Sequence, residues 1–228
     1  MRLLTFVITA YIAGSLPIGL YVGKLVRGID IREFGSGNIG ASNVWRTLGP
    51  KWGVLVFLVD VLKGLLPVCC ARYGSDPSGW MPVLTGFAAI LGHNASPFLR
   101  FKGGKGVATS LGVAIGLSAE AGLIAFGSWF LVLLVTRYIS VASLVGVPVG
   151  SFLIWWLNGQ KLPYLLFGIL ATMFVFVKHK ANLKRLKAGT EPQVEPIIPR
   201  FARMVSGKRS KAKGEATGDG SASERRAS

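Results

Sequence analysis

The chain has 228 residues, of which 51% are hydrophobic and only 16% charged, with a net charge of +16. Soluble domains carry about 25% charged residues, whereas several runs here are apolar on every side over lengths near the ~18 residues that suggest a bilayer crossing. A soluble enzyme is excluded, and because the basic residues lie between the apolar runs they read as topology signals and anion contacts, with no nucleic-acid partner.

Seven transmembrane helices are predicted, in an all-α polytopic protein. The first covers 3–22, with Pro17 kinking it. It follows Arg2 closely, but its length, the lack of a clear cleavage site and the spans that follow mark it as a retained helix, not a signal peptide. The others cover 52–71, 80–91 (extending towards Pro97), 106–118, 121–136, 141–157 and 163–177. A single helix over 107–135 would be ~43 Å long against a hydrocarbon core of ~30 Å. It would also leave Glu120 near mid-membrane. A turn at 116–122 removes both problems. Cys69 and Cys70 lie side by side in an apolar run, where neighbours rarely pair and no zinc spacing exists; they read as small apolar residues.

Loop charge sets the orientation. Lys24, Arg27, Arg32, Arg46 and Lys51 follow the first span. Arg100, Lys102 and Lys105 follow the third, Arg137 the fifth, and Lys178, Lys180, Lys184, Arg185 and Lys187 the seventh. The opposite side holds Arg2, Arg72 and Lys161. The positive-inside rule puts the N-terminus outside and the C-terminus in the cytoplasm. Residues 1–198 read as one membrane-embedded domain and 199–228 as a disordered basic tail, whose lysines and arginines suit anionic lipid headgroups.

Three cytoplasmic segments carry the candidate chemistry. The first runs from Phe34 to Arg46. Gly35, Gly37 and Gly40 permit tight turns and close ligand approach. Ser36, Asn38, Ser42 and Asn43 offer hydrogen bonds, and Arg46 a planar fork for phosphate; Ile39, Val44 and Trp45 imply packing, not a floppy linker. The second contains Gly92-His93-Asn94 and Lys102-Gly103-Gly104-Lys105-Gly106. It is not a Walker loop, but its glycines open directly into a helix whose free N–H groups and dipole suit an anion. A side chain at Gly103 or Gly104 is expected to block phosphate without altering insertion. In the third, if helical, His179, Asn182 and Arg185 share a face, and Gly189 ends the helix. Asp60 and Lys63, three residues apart inside the second span, read as a structural ion pair. The motif segments hold no carboxylate cluster, so neither metal nor cofactor is expected.

Together these segments resemble the bacterial acylphosphate:glycerol-3-phosphate acyltransferase family, often called PlsY. The likeness covers about residues 1–195, in motif order and helix spacing; at the position often proline in that family stands Ile39. The resemblance implies an enzyme of the bacterial inner membrane with its active site on the cytoplasmic side. It implies acyl transfer from acyl phosphate to the 1-hydroxyl of glycerol 3-phosphate, giving lysophosphatidic acid and phosphate. Ser36, Arg46, Lys105, His179 and Asn182 would be catalytic. Gly37, Asn38, Asn43, His93, Lys102, Gly103, Gly104, Gly106 and Arg185 would bind substrate, and Glu191 would support the local structure. The chemistry agrees: two phosphorylated substrates need two anion subsites, and an activated donor needs alignment and charge neutralisation more than a metal or an acyl-enzyme. The hydroxyl proton has two candidate acceptors, His179 and an oxygen of the departing phosphate. A transporter of organic phosphates would place its anion site near mid-membrane, and a scaffold would need no glycine-rich phosphate loops. Membrane lipid is the remaining partner; the sequence sets neither oligomeric state nor acyl-chain preference.

Overall fold

In the computed structural model, which describes residues 1–73 and 76–194, Pro17 breaks the first apolar run instead of kinking it. Helix α1 (Arg2–Ser15) stops at Leu16, and α2 (Ile18–Arg27) starts after Pro17, because proline has no amide proton and crowds the preceding turn. Carbonyls at the break are taken up by other parts of the chain. Ser96 Oγ donates to the Ser15 carbonyl at 2.6 Å, and Lys63 Nζ to that of Leu16 at 3.2 Å.

Helices occupy the other predicted segments: α4 (Pro50–Tyr73), α5 (Trp80–Asn94), α6 (Val107–Leu117), α7 (Ala119–Thr136), α8 (Ile139–Leu157) and α9 (Leu162–Lys178). Two short helices join them: α3 (Ala41–Leu48), in the segment read as a packed loop, and α10 (Lys180–Lys187). Among the described residues the regular structure is helical throughout. The turn between α6 and α7 is tighter than expected. Ser118 is extended, its hydroxyl caps α7 by accepting from the Ala121 amide at 3.3 Å, and Glu120 stands exposed in the first turn.

Length divides these helices. Residues 2–27, α4, α7 and α8 are long and apolar enough to cross a membrane, and α9 with α10, bent by 53°, counts as a fifth if the bent pair is one span. Helix α6 has 11 residues, about 16 Å at ~1.5 Å per residue, well short of a ~30 Å core. Glycines draw the helices together. A Cβ at Gly14 would strike the Ala89 carbonyl and one at Gly92 that of Tyr11, locking α1 to α5; Gly64 and Gly112 do the same for α4 and α6. Small residues at such contacts let backbones pack closely, the main source of helix association in lipid.

Two apolar clusters result. One joins Ala10, Val68, Ala89, Val113, Ile154 and Phe167 between the long helices. The other joins Leu20, Ile31, Ile39, Val44, Val56 and Leu99, and holds the first glycine-rich segment against α2 and α4. The compact unit closes at Pro192; the division expected after residue 198, and the basic tail of 199–228, lie outside the described residues.

Candidate active site

The third motif folds back on itself. Helix α10 begins after His179, so Asn182 and Arg185 lie one turn apart on the same face. Gly189 then adopts a left-handed conformation (φ 68°), with its amide donating to the Leu186 carbonyl and that of Thr190 to Arg185. This glycine-ended turn brings Glu191 back against the helix. Its two oxygens accept from Asn182 Nδ2 at 2.6 Å and Arg185 Nε at 2.8 Å.

Lys105 completes the network from the second motif. Its Nζ donates to Asn182 Oδ1 at 2.5 Å, so the Asn182 amide relays between a lysine and a carboxylate. Burial pushes the Lys105 ammonium down to about 8; the Glu191 charge opposes that, while Arg185 and Arg46 push the same way. Burial alone would raise the Glu191 carboxyl, but hydrogen bonds, from Asn182 and Arg185 among others, hold it below its ordinary value. Arg46, exposed on α3, lies within electrostatic reach of Glu191 and Arg185. His179 is buried, and its Nδ1 lies 2.7 Å from the Val175 carbonyl. A carbonyl only accepts, so Nδ1 carries the proton and Nε2 of the neutral ring keeps its lone pair. Three cations thus converge on a single carboxylate, an arrangement suited to anionic ligands.

The glycine loop rests on the end of α5. The amides of Gly103 and Gly104 donate to the carbonyls of Asn94 (3.3 Å) and His93 (3.0 Å), and Lys178 Nζ reaches the same Asn94 carbonyl at 3.0 Å. Those two amides are therefore committed to the fold. A side chain on Gly104 would strike the His93 ring, and one on Gly103 the His93 carbonyl. The free donors lie two residues later. Gly106, left-handed at φ 77°, precedes α6 without a side-chain cap, and the first N–H groups of any helix lack intrahelical acceptors. Against Gly106 lies the Asn94 amide, 1% exposed, with neither polar atom hydrogen-bonded; the buried Thr109 hydroxyl is likewise unpartnered among the described residues.

Residues 4–189 match the family described as Glycerol-3-phosphate acyltransferase. The chain belongs to this family. It is 46% identical over 188 residues to the glycerol-3-phosphate acyltransferase of Geotalea daltonii, covering 82% of this chain and 95% of the relative. It is 41% identical to that of Aquifex aeolicus over 191 residues, covering 84% and 98%. The crystal structure of PlsY (YgiH), an integral membrane glycerol 3-phosphate acyltransferase, in its glycerol 3-phosphate form superposes with a TM-score of 0.81 at 40% identity, covering 85% of this chain and 96% of that one. Its lysophosphatidic acid form gives 0.79 at 38% identity, covering 86% and 97%.

Within this family frame the predicted residues separate into groups. Hydrogen bonds join Lys105, Asn182, Arg185 and Glu191, and charge links Arg46 and His179 to them. Asn43 is wholly buried and organises the first motif. Its Oδ1 accepts the Ser36 amide at 2.8 Å, and its Nδ2 donates to the carbonyls of Ile31, Phe34 and Asn38. All its donors and acceptors serve the loop, which leaves Ser36 and Gly37 exposed, Asn38 half-buried, and leads into α3 and Arg46. His93 lies beneath the glycine loop, 4% exposed, and Lys102 stands exposed at its edge. Sequence reasoning did not single out Asn94. Its only signal was its place between His93 and the glycine loop, because a buried unpaired amide is visible only in three dimensions.

Proposed function

We propose that the chain transfers a fatty acyl group from an acyl phosphate to the 1-hydroxyl of glycerol 3-phosphate, at a site on the cytoplasmic side of a bacterial inner membrane. Family membership and the substrate and product named for the solved relatives support the acceptor and the product. The observation that carries the site is the uncapped start of α6, flanked by Lys105 and by the unpaired Asn94 amide. A phosphate there would meet free N–H groups, a helix dipole and an ammonium together. Arg46 and Arg185 supply positive charge for the second phosphate, with Ser36, Gly37 and Asn38 on the exposed loop that leads into the helix of Arg46.

The hydroxyl oxygen of glycerol 3-phosphate attacks the acyl carbon, the bond to the phosphate oxygen breaks, and lysophosphatidic acid and inorganic phosphate leave. The hydroxyl proton goes to His179 Nε2 or to an oxygen of the departing phosphate. Because the donor is already activated, the protein's contribution is alignment and neutralisation of charge. Purified protein given acyl phosphate and glycerol 3-phosphate should form lysophosphatidic acid; no product, or product only from another acyl donor, would overturn the reading.

We place the segments as seven crossings, N-terminus outside and C-terminus cytoplasmic. The contacts support this alternation. Arg72, at the end of α4, donates to the carbonyls of Gly116 and Leu117 at the end of α6, and Lys161 Nζ to that of Pro77. At the other end, Lys178 Nζ donates to the Asn94 carbonyl that closes α5, and Lys105, just before α6, donates to Asn182 of α10. A topology reporter fused after Lys187 should be active only in its cytoplasmic form.

A further inference from the structure

Beneath the glycine loop, inside the helix bundle, lies a second set of charged groups that the proposed chemistry does not use. Asp60 of α4 is 2% exposed and pairs with Lys63 at 2.8 Å. Lys63 also donates to the Leu16 carbonyl at the Pro17 break. The nearest imidazole is that of His93, whose Nδ1 lies 3.9 Å from Asp60 Oδ1. Neither atom of that last pair has a well-directed hydrogen bond among the described residues. Asp60 has its counter-ion in Lys63, so the group left wanting is the buried His93 Nδ1, which faces the same carboxylate oxygen and has no hydrogen-bond partner among the described residues.

The other edge of the same ring carries the loop. His93 Nε2 lies directly under Gly104, where a Cβ would collide with it, and the His93 carbonyl accepts the Gly104 amide at 3.0 Å. Gly104 is bonded to Lys105, whose Nζ enters the Asn182–Glu191 network. The α1 end is tied to the same floor, since Tyr11 Oη donates to the Ala95 carbonyl and Ser96 Oγ to that of Ser15. The ring therefore stands between Asp60 on one side and the Lys105 loop on the other.

We propose that Asp60 is a positioning residue for acyl transfer: it orients the His93 ring, and through that ring it sets the height and direction of the Gly104–Lys105 backbone. This rests on the reading of Lys105 as a phosphate contact. Asp60 touches no substrate. Its loss displaces Lys105 and weakens glycerol 3-phosphate binding, while the donor subsite is left in place.

The test uses the full chain in membranes, with acyl phosphate saturating and glycerol 3-phosphate varied. Asp60→Leu/Lys63→Met removes both charges without leaving either one buried alone; Asp60→Asn keeps the shape of the acid. Either variant should raise the KM for glycerol 3-phosphate at least five-fold, with the KM for acyl phosphate within two-fold of the parent. In a His93→Gln background the same changes should add nothing, because the route through the ring is already cut. An unchanged KM for glycerol 3-phosphate, effects that multiply with His93→Gln, or failure of both variants to insert would overturn the proposal. Lys105→Ala is run alongside. Parent-like kinetics there would bring down the reading of the site; a Lys105 effect without an Asp60 effect would bring down this inference alone.

Discussion

The helix interior and the loop end of the molecule each hold a lysine withdrawn from solvent, and they treat it in opposite ways. Lys63 meets a carboxylate directly and spends a further donor on a backbone carbonyl freed by Pro17. Lys105 meets a neutral amide, and the carboxylate stands one residue further on, behind Asn182 and shared with Arg185. The first lysine is neutralised where it stands. The second keeps net positive charge in its surroundings, and in the proposed site an incoming phosphate would supply the counter-charge that the fold withholds. Direct pairing inside the bundle serves the fold; relayed pairing at the interface leaves work for a ligand.

Breaking the interior pair should produce the largest change. Lys63→Met leaves Asp60 buried without its cation, which costs on the order of 3–5 kcal/mol. Thermal unfolding in detergent should show a marked loss of stability that Asp60→Leu in the same chain largely restores. Lys105→Ala should do the reverse. Stability should hold, and kcat/KM for glycerol 3-phosphate should fall ten-fold or more, corresponding to a charge-assisted contact of about 1.5–3 kcal/mol. Unchanged kinetics there would reduce the loop to a membrane flank and move the phosphate site to Arg46 and Arg185.

Gly104→Ala sharpens the contrast from the backbone side. Its methyl group would enter the His93 ring, an overpacking that costs roughly 1–3 kcal/mol. Stability and the KM for glycerol 3-phosphate should therefore change together, where loss of a pure ligand contact would leave stability alone. The titration of Lys105 is a gentler probe. In the free enzyme it loses its proton near 8, so kcat/KM should decline as pH rises through that value, and Lys105→Arg, still charged, should lack the decline. For stability the sign is opposite. Between about 8 and the ordinary 10.5 the unfolded chain holds a proton that the folded chain has released, so this residue's contribution grows with pH across that window. The smallest effect belongs to a strong chelator, which should leave turnover unchanged; loss restored by magnesium would break the metal-free reading.

Much of this was legible in the amino-acid order. Apolar length placed the long helices within a few residues, and Gly116–Gly122 marked the break that leaves Glu120 exposed in the first turn of α7. Asn182 and Arg185 could be put on one face from their spacing alone. The short helix α3 was not legible, because Ser42, Asn43 and the glycines around them favour turns, and it is packing of Ile39 and Val44 against α2 and α4 that makes the segment helical. The roles of single polar residues were the hardest to read. Asn43 and His93 look like ligand contacts in a motif, yet one is saturated by loop carbonyls and the other supports a loop from below.

The sequence by itself determined the membrane class, the order of the long helices and the family, and it proposed most residues of the candidate site. Those follow from composition and local spacing, which are properties of the chain read one window at a time. Only the tertiary structure decided which amides of the glycine loop remain free, which lysine is neutralised, and that Glu191 returns beneath Asn182 and Arg185. Each depends on groups far apart in sequence coming together, within hydrogen-bond distance for Lys105 with Asn182 and Ser96 with Ser15 and at 3.9 Å for His93 with Asp60. No local pattern encodes such meetings. They follow from close packing of small residues between helices, where one added methyl group would push the partners apart.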